Sequence, residues 1–290
     1  MFLSIITLNF KKPHLTIACL ESLQEQFAEE FEKGKIELII ADNASGDDSI
    51  PVLEKEVKKY KHVKLIANKE NAGFAKGCNL GAASAQGEYL LFLNNDTVVK
   101  DRGILDMAGY MESHSDVGIL GGQLHNTNGT SQHSSGKFYT PFTTILLLLS
   151  LQKYVDKSPM VITRVDWVKG GLFMIKSDVF KELKGFDEHI FMYTEDMELC
   201  YRASLAGHKT YFYPDVHVLH DEQGSSNRSF AIVNIYKNLL YFYKKHRSQR
   251  EYLFLKSLLW TKAVLLIGIG KLTGNKYLVT TYKEAMLMVT

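Results

Sequence analysis

Three acidic residues stand where a carboxylate could do chemistry: Asp42, Asp96 and Asp196. Asp96 closes the run Asn94-Asn95-Asp96, directly after the apolar stretch Tyr89 to Leu93. A carboxylate there projects from the end of a buried strand. Mg2+ or Mn2+ prefers such hard oxygen ligands and often holds few protein carboxylates, with phosphate oxygens completing its shell. Asn94 to Thr97 is also good turn chemistry, so on local residues alone a turn and a metal ligand stand level. Asp42 ends the stretch Ile36 to Ala41 and is followed by Asn43, Ala44 and Ser45. In a dinucleotide-binding fold an acid here takes ribose hydroxyls, but that fold needs a glycine-rich first turn and Thr7 to Lys12 holds no glycine. Ser45, Asp47 or Ser49 can equally cap the next helix. Glu195 and Asp196 open a further helix. Acids in a first turn favour the helix dipole; the chemical alternative is a general base that takes a proton from an attacking hydroxyl. Arg202, on the same helix, could pair with a carboxylate or reach a phosphate.

Two more groups join these candidates. Asn71 to Asn79 combines Gly73, which permits close backbone approach, with a helix start whose N–H groups and dipole suit an anion such as a diphosphate. Its small residues would also serve plain helix packing. His217 and His220 end a strand. Their odd separation puts them on opposite faces, and a histidine at a strand end beside a metal site is a reasonable ligand.

The elements that must position these residues alternate. Leu3 to Leu8, Ile36 to Ala41, Val63 to Ala67 and Tyr89 to Leu93 read as strands. Leu15 to Phe27, Ser49 to Tyr60 and Phe74 to Ala85 read as helices between them. Such alternation implies a mainly parallel sheet with helices on both faces, and ligands beyond the carboxyl ends of its strands. His125 to Tyr139 reads as loop or hairpin, Gly170 to Ser177 as a strand, and Glu195 to Ala206 as a helix. Lys209 to Tyr213 and Val216 to His220 read as short strands parted by Pro214. From Arg228 onward the pattern is helical, which places a boundary near residue 226.

Composition narrows the classes. The chain has 290 residues, 46% hydrophobic and 11% aromatic, enough to bury a large core and too apolar for disorder. A net charge of only +2 argues against nucleic acid as partner. Three widely spaced cysteines with no CxxC pair fit a reducing, cytoplasmic compartment, and the N-terminus lacks the basic flank of a signal peptide. In the helical tail, Lys256 and Lys262 interrupt the apolar run. The longest uncharged stretch, Ala263 to Gly270, is too short to span a bilayer. The tail suits a peripheral helix region on the inner membrane face, or a helical cap or homodimer interface.

The segments LSIITLNF, ADNASGDDS, NKENAGFAKGCNLG, YLLFLNNDT, GGLFMIKSDVF, GFDEHIFMYTEDMELCYR and YFYPDVHVLH, in this order over residues 3–220, resemble glycosyltransferase family 2 and its rhamnosyltransferase-like branch. The resemblance implies the GT-A nucleotide-diphospho-sugar transferase fold. Residues 1–225 would form the catalytic domain, with a nucleotide-binding half (1–100) and an acceptor-binding half (101–225), followed by a C-terminal helical extension over 226–290. It implies an inverting transfer of sugar from dTDP-rhamnose or a UDP-sugar to a glycan or polyprenyl-diphosphate-linked acceptor in bacterial surface polysaccharide synthesis, with Mg2+ or Mn2+. Thr7, Asn9, Asp42, Asn43, Ser45, Asn71, Gly73, Lys76 and Asn95 would line the nucleotide. Asn94, Gly170, Gly171 and Arg202 would face sugar or acceptor, Asp96 and His220 would bind metal, and Asp196 would be the base beside Glu195. Asn94 stands where the family's motif carries a first aspartate, so the site has one carboxylate and should hold metal chiefly together with a nucleoside diphosphate. The competing readings are a metal-dependent nucleotidyltransferase, disfavoured because no glycine-rich basic loop occurs near the N-terminus, and a non-catalytic nucleotide-sugar-binding protein.

Overall fold

The computed structural model describes residues 1–149, 151, 154–221 and 228–289. The chain divides into two compact units. The first holds residues 1–137, 156–191 and 195–224; the second holds 138–155, 192–194 and 225–290.

The first unit begins with β1 (Leu3–Asn9), α1 (Pro13–Glu32), β2 (Ile36–Asp42), α2 (Ser49–Val57), β3 (Val63–Ala67), α3 (Gly73–Ala82) and β4 (Tyr89–Leu93). It continues with β5 (Thr97–Val99), α4 (Gly103–Ser113), β6 (Val117–His125) and β7 (Ser135–Gly136). After α5 (Pro141–Leu148) in the second unit come β8 (Asp156–Lys157), β9 (Thr163–Val165), β10 (Trp167–Val168), β11 (Leu172–Lys176), α6 (Ser177–Glu182), α7 (Glu195–Leu205) and β12 (Lys209–His220). The main sheet runs β3-β2-β1-β4-β11-β6-β12-β5, with β9 also on β12. β10, β7 and β8 form a small second sheet.

The first four strands are parallel, as strand–helix alternation requires. β11 then inserts antiparallel between β4 and β6, so the sheet as a whole is mixed. The insertion matters for the site. Leu172 pairs with Leu93, so the residues just before β11 lie at the same edge as those just after β4. The two strands expected around Pro214 are one strand, β12, parallel to β6. Tyr213 pairs with Gly122 and Val218 with Leu124, so five steps on β12 match two on β6. This is a bulge that absorbs the proline.

Alternation sorts the core. Leu3, Ile5, Leu38, Ile40, Leu91, Leu93, Leu172 and Met174 pack with Leu20, Leu23 and Phe27 of α1 and Met107 and Met111 of α4. The opposite face carries an aromatic cluster in which Phe92 lies 5.2 Å from Phe180 and 4.8 Å from Phe186 between ring centroids. There α3 lies close on β1: a Cβ on Gly81 would come 2.8 Å from Ile6, and one on Gly77 would come 2.6 Å from Leu8. β6, central in the sheet, is hard to read from sequence because Gly118, Gly121 and Gly122 dilute its apolar pattern. A Cβ on Gly121 would come 2.3 Å from Val168, which explains the gap in side chains.

One buried charge ties the start of the sheet together. Glu37 is wholly buried on β2 and accepts from Ser4 Oγ (2.7 Å), the Gln86 backbone N–H (2.8 Å) and Lys64 Nζ (2.8 Å). Burial alone would raise its carboxyl, but these donors outweigh burial and hold it below the usual range.

In the second unit, α8 (Arg228–His246), α9 (Gln249–Leu272) and α10 (Lys276–Leu287) join α5. The buried face of α8 carries Val233, Tyr236, Leu239, Leu240, Phe242 and Tyr243, with Ile232 and Ile235 only half buried. Thr144 Oγ1 meets Tyr243 OH at 2.9 Å. Asn238 Nδ2 donates to the carbonyls of Met192 and Tyr193, both at 2.8 Å. A reciprocal Ser248–Glu251 capping box starts α9. The short uncharged stretch suggested a segment unable to span a bilayer. Instead, α9 is one continuous helix of 24 residues, long and apolar enough by length and composition to cross a membrane. It buries Leu255, Leu259, Ala263 and Gly270 and leaves Leu253, Phe254, Trp260, Val264, Leu265, Ile269 and Leu272 exposed.

Replacing Glu37 by Ala would leave the buried Ser4 hydroxyl without its acceptor, the Gln86 N–H with only Ser4 Oγ (3.2 Å) and the exposed Lys64 without its partner. An orphaned buried group such as the Ser4 hydroxyl costs about 1–3 kcal/mol. Because the Glu37 carboxyl is lowered, its stabilisation is present above the ordinary glutamate range and lost as pH falls through the folded value. Denaturant titration is expected to show a lower midpoint for Glu37→Ala at neutral pH and a smaller difference from wild type near pH 3.

Candidate active site

The carboxyl ends of β1, β2 and β4, the entry to β11 and the end of β12 meet at one edge of the sheet, and the candidate residues lie along it. Asp42, at the end of β2, has no exposed surface. Its oxygens accept from Asn9 Nδ2 (2.7 Å), Ser45 Oγ (2.6 Å) and the Ser45 N–H (3.0 Å). Asn9 Oδ1 in turn accepts from Thr16 Oγ1 (2.8 Å), and Thr16 Oγ1 accepts from Asn95 Nδ2 (3.0 Å). Hydrogen bonds therefore run from Asp42 on β2 through Asn9 on β1 and Thr16 on α1 to Asn95 after β4. Lys11 and Ala44, both non-glycine, hold φ of +56° at the rim. Such strain persists only where surrounding contacts impose it, and here the Lys11 N–H donates to Ser45 Oγ at 2.8 Å. The Thr7 hydroxyl is buried with no hydrogen-bond partner among the described residues.

Asn43 joins the next loop. Its Nδ2 donates to Asn71 Oδ1 (2.8 Å) and the Gly73 carbonyl (3.1 Å), while its Oδ1 accepts from Asn68 Nδ2 (3.2 Å). The start of α3 departs from the expected open anion site. Gly73 has φ +88°, and a Cβ there would lie 2.2 Å from the Phe191 carbonyl oxygen. That carbonyl accepts from the Phe74 N–H (2.6 Å), and the Gly73 N–H donates to Asn71 (3.1 Å). These two amides are spent within the protein. Lys76 points away, to Glu70 (3.3 Å).

Asp96 and His220 come together. Thr97, beside Asp96, pairs with His220 across the β5–β12 ladder, and the Asp221 N–H donates to the Asp96 carbonyl (3.1 Å). His220 Nε2 stands 3.3 Å from Asp96 Oδ1, both nearly buried. That oxygen has no hydrogen-bond partner among the described residues. His220 Nε2 also lies 3.1 Å from Asn94 Nδ2, and Nδ1 lies 2.9 Å from Gln132 Oε1. His217, as alternation expects, is exposed on the other face. A buried carboxylate oxygen without a donor, facing a ring nitrogen, suits a cation. Adjacent ligands of an octahedral ion with bonds of about 2.0–2.1 Å stand about 3 Å apart, close to the separation here. Among the described residues no third acidic, histidine or cysteine side chain joins them, so the described residues offer two ligands.

Asp196 reaches the same edge through the glycines. The Gly170 N–H donates to Asp196 Oδ2 (2.8 Å), and the Met197 N–H to Oδ1 (2.7 Å). The Asn94 N–H donates to the Gly171 carbonyl (3.2 Å). Burial raises the Asp196 carboxyl, partly offset by the Gly170 and Met197 amides and the Lys169 charge. Asp196 keeps partial exposure to solvent. Glu195 beside it is pushed up to about 8, by burial first and then by the Asp196 charge, and its Oε2 lacks a partner among the described residues. Both carboxyls are raised by burial, but two amide donors work against the rise at Asp196, while Glu195 Oε2 has no such donor among the described residues.

Arg202 does not join the cluster. Its guanidinium bonds Glu198 (2.8 Å) and the carbonyls of Leu183 and Gly185, which binds α7 to the turn after α6. Two bridging residues were not singled out from sequence. Thr16 shares a helical face with Leu20, Leu23 and Phe27, so a polar residue in a buried phase was the available signal. Gln132 lies in a stretch that reads as loop or hairpin. A separate hollow lined by Phe2, Glu30, Lys35, Leu105, Gly109 and Glu112 lies at the starts of β1 and β2, the opposite edge, and holds none of these residues.

Comparison with known proteins bears on the fold and the family. The chain is 29% identical over 169 residues to the rhamnosyltransferase WbbL of Escherichia coli (strain K12), a match covering 54% of this chain and 64% of that protein, just under two thirds. It is 24% identical over 224 residues to the N-acetylglucosaminyl-diphospho-decaprenol L-rhamnosyltransferase of Mycobacterium tuberculosis (strain ATCC 25618 / H37Rv), covering 68% of this chain and 70% of that one. Its structure is similar to the mannosyltransferase PcManGT from Pyrobaculum calidifontis, solved with GDP-Man and Mn2+, at a TM-score of 0.60 and 17% identity over 99% of this chain and 85% of that one. At such identity the likeness shows the fold, which is GT-A. The model described as glycosyl transferase family 2 matches residues 4–182, more than half of the 290, and the chain belongs to that family.

Proposed function

We propose that this protein is an inverting, metal-dependent glycosyltransferase that moves a sugar from a nucleoside diphosphate to a hydroxyl of a glycan or lipid-linked acceptor in bacterial surface polysaccharide synthesis. One observation carries the reading: the Asp196 carboxylate, fixed on the Gly170 N–H, shares a sheet edge with the Asp96–His220 pair. Residues 1–225 supply the catalytic machinery. The names of the two relatives support rhamnose as the transferred sugar; dTDP-rhamnose is the first donor proposed, and a UDP-hexose or UDP-galactofuranose the next.

Asp96 Oδ1 and His220 Nε2 would hold the Mg2+ or Mn2+, which when bound offsets the charge of the departing diphosphate. With one carboxylate among the described residues, the site gives such an ion little reason to bind before the nucleotide brings its own oxygens. Thr7, Asn9, Ser45, Asn71 and Asn95 would line the nucleoside, and Asp42 would act at one remove by fixing Asn9 and Ser45. Asn94, Gly170 and Gly171 would border sugar and acceptor. Asp196 takes the acceptor proton as the hydroxyl attacks the anomeric carbon and the bond to the diphosphate breaks, which inverts the configuration in one displacement. Its raised carboxyl makes it a better base than an ordinary aspartate.

The second unit would dock on anionic lipid, at the inner face of the membrane. Residues 225–290 contain 11 Lys and Arg against two acids, Glu251 and Glu284, a charge of +9 in a chain whose total is +2. Beside this charge lies the exposed apolar stripe of α9, including Phe254, Trp260 and Leu265. Apolar residues that enter the acyl boundary, with basic residues each worth about 1 kcal/mol at an anionic surface, make an interfacial helix.

Release of nucleoside diphosphate from a donor panel is expected only when acceptor is supplied. Asp196→Asn is expected to reduce transfer by at least about 100-fold, within the usual range for general-base catalysis, while thermal shift with donor and Mn2+ stays unchanged. Retained turnover removes Asp196 from the base role. Between about pH 4.5 and 8 the folded state keeps the Glu195 proton that the unfolded state releases, so native stability falls as pH rises through this window. Glu195→Gln is therefore expected to raise Tm more at about pH 9 than at about pH 5, and an equal change at both would contradict the assignment. The chain is expected to float with phosphatidylglycerol vesicles at low salt and to lose this with Trp260→Glu and Leu265→Glu combined. Concentration-dependent dimerisation without flotation would assign the stripe to a second copy instead.

A further inference from the structure

We infer that Gln132 is a positioning residue that sets the tautomer of His220: it holds the ring proton on Nδ1 and so leaves the Nε2 lone pair facing Asp96. The inference rests on the reading of His220 as a metal ligand, and nothing in the sequence pattern marked Gln132.

The argument is one of donors and acceptors. Gln132 is 4% exposed. Its Nε2 lies 2.9 Å from the His220 carbonyl oxygen. A carbonyl oxygen can only accept, so the amide nitrogen must face it and the amide oxygen must face the other way. The rest of the loop agrees. Gln132 Nε2 also donates to Asn126 Oδ1 (2.9 Å), and Asn126 Nδ2 donates to Thr130 Oγ1 (2.8 Å). The Thr130 hydroxyl spends its proton on Asn128 Oδ1 (2.7 Å). Each amide in the run is thereby oriented, and Gln132 Oε1 is left 2.9 Å from His220 Nδ1. An amide oxygen has no proton to give, so Nδ1 must supply one. In the neutral ring Nε2 is then unprotonated, which fits its 3.1 Å approach to the donor Asn94 Nδ2.

The backbone of Gln132 is fixed as firmly. Its N–H donates to the Leu124 carbonyl at 2.8 Å, and its carbonyl accepts from Gln123 Nε2 (2.9 Å) and Ser158 Oγ (2.8 Å). Metal-binding histidines commonly donate their second ring N–H to a carbonyl or carboxylate, which fixes ring orientation and raises ligand basicity. Without Gln132 Oε1 the better place for the proton is Nε2, where Asp96 Oδ1, 3.3 Å away, accepts it. The two ligands would then bond each other and present no lone pair to a cation.

The test reads the tautomer directly and metal binding separately. In wild-type protein at about pH 8, above the ordinary histidine range, nitrogen NMR of His220 is expected to show a protonated Nδ1 and an unprotonated Nε2. A protonated Nε2 overturns the inference without any variant. Gln132→Met, which keeps length and removes the acceptor, is expected to move the proton to Nε2. It should weaken Mn2+ binding, measured by loss of the free-ion EPR signal in saturating UDP and separately dTDP, by about 10–100-fold. Gln132→Glu keeps an acceptor for Nδ1 and is expected to keep the proton there by nitrogen NMR, although its second oxygen loses the bonds to the His220 carbonyl and Asn126. Gln132→Met that folds, by an unchanged melting transition, and binds Mn2+ as wild type overturns the positioning role. His220→Ala separates this from failure of the underlying reading: if it leaves Mn2+ binding unchanged, His220 is no ligand at all.

Discussion

A carboxylate with no exposed surface must have its lone pairs met by the protein, and Asp42 imposes that demand on the whole edge of the sheet. Meeting it requires the Asn9 amide to turn its nitrogen inward, which turns its oxygen toward Thr16. The loop after β2 must double back so that Ser45 can donate twice, and this holds Ala44 and, through Ser45, Lys11 in left-handed backbone. Unpaired, such a group would cost several kcal/mol; satisfied, it fixes three strand ends and one helix in a single arrangement. Substrate-facing loops are ordinarily mobile. Here the polar network beneath them supplies rigidity before any ligand arrives.

Along the same edge the protein treats its acids in opposite ways. Asp42 is saturated with donors. Asp96 keeps one oxygen without any among the described residues. Glu195 is raised by burial and by the Asp196 charge, and Asp196 receives two amides that work against its own rise. Four carboxyl groups in one region would repel one another if all were ionised and equally exposed. Separating them by hydrogen-bond supply rather than by distance lets four carboxyl groups share one edge.

Legibility in the sequence followed periodicity. β1, β2 and β4 announced themselves as largely apolar strands and α1 by its apolar repeat, while α3 showed only small, helix-compatible residues. The order of their loops then pointed to the edge where Asp42 and Asp96 stand. β6 stayed hidden, since its glycines make room for Val168 and Leu172 and so remove the very side chains a pattern would show. The antiparallel placement of β11 is a long-range matter that no local window contains. The same holds for polar partners. Asn43, Asn94 and His220 could be named from strand ends, but whether an amide faces a ligand or another amide depends on residues far away in the chain. Arg202 and the start of α3 illustrate this: both suit an anion on paper, yet carbonyl groups of the fold already occupy them.

The bulge in β12 has a consequence of parity. Before it, the odd-numbered Tyr211 and Tyr213 pack on the core formed with α1 and α4; after it, the even-numbered Val216 and Val218 do. The surplus of residues on β12 is odd, and an odd surplus exchanges the two sides of a strand. His220 inherits the even side and meets Asp96. With an uninterrupted strand the leucine at 219 would occupy that inward phase, and the imidazole would look out into solvent. A proline-centred irregularity several residues upstream thus decides which side chain the last rung offers, and the histidine owes its place to a miscount in the ladder.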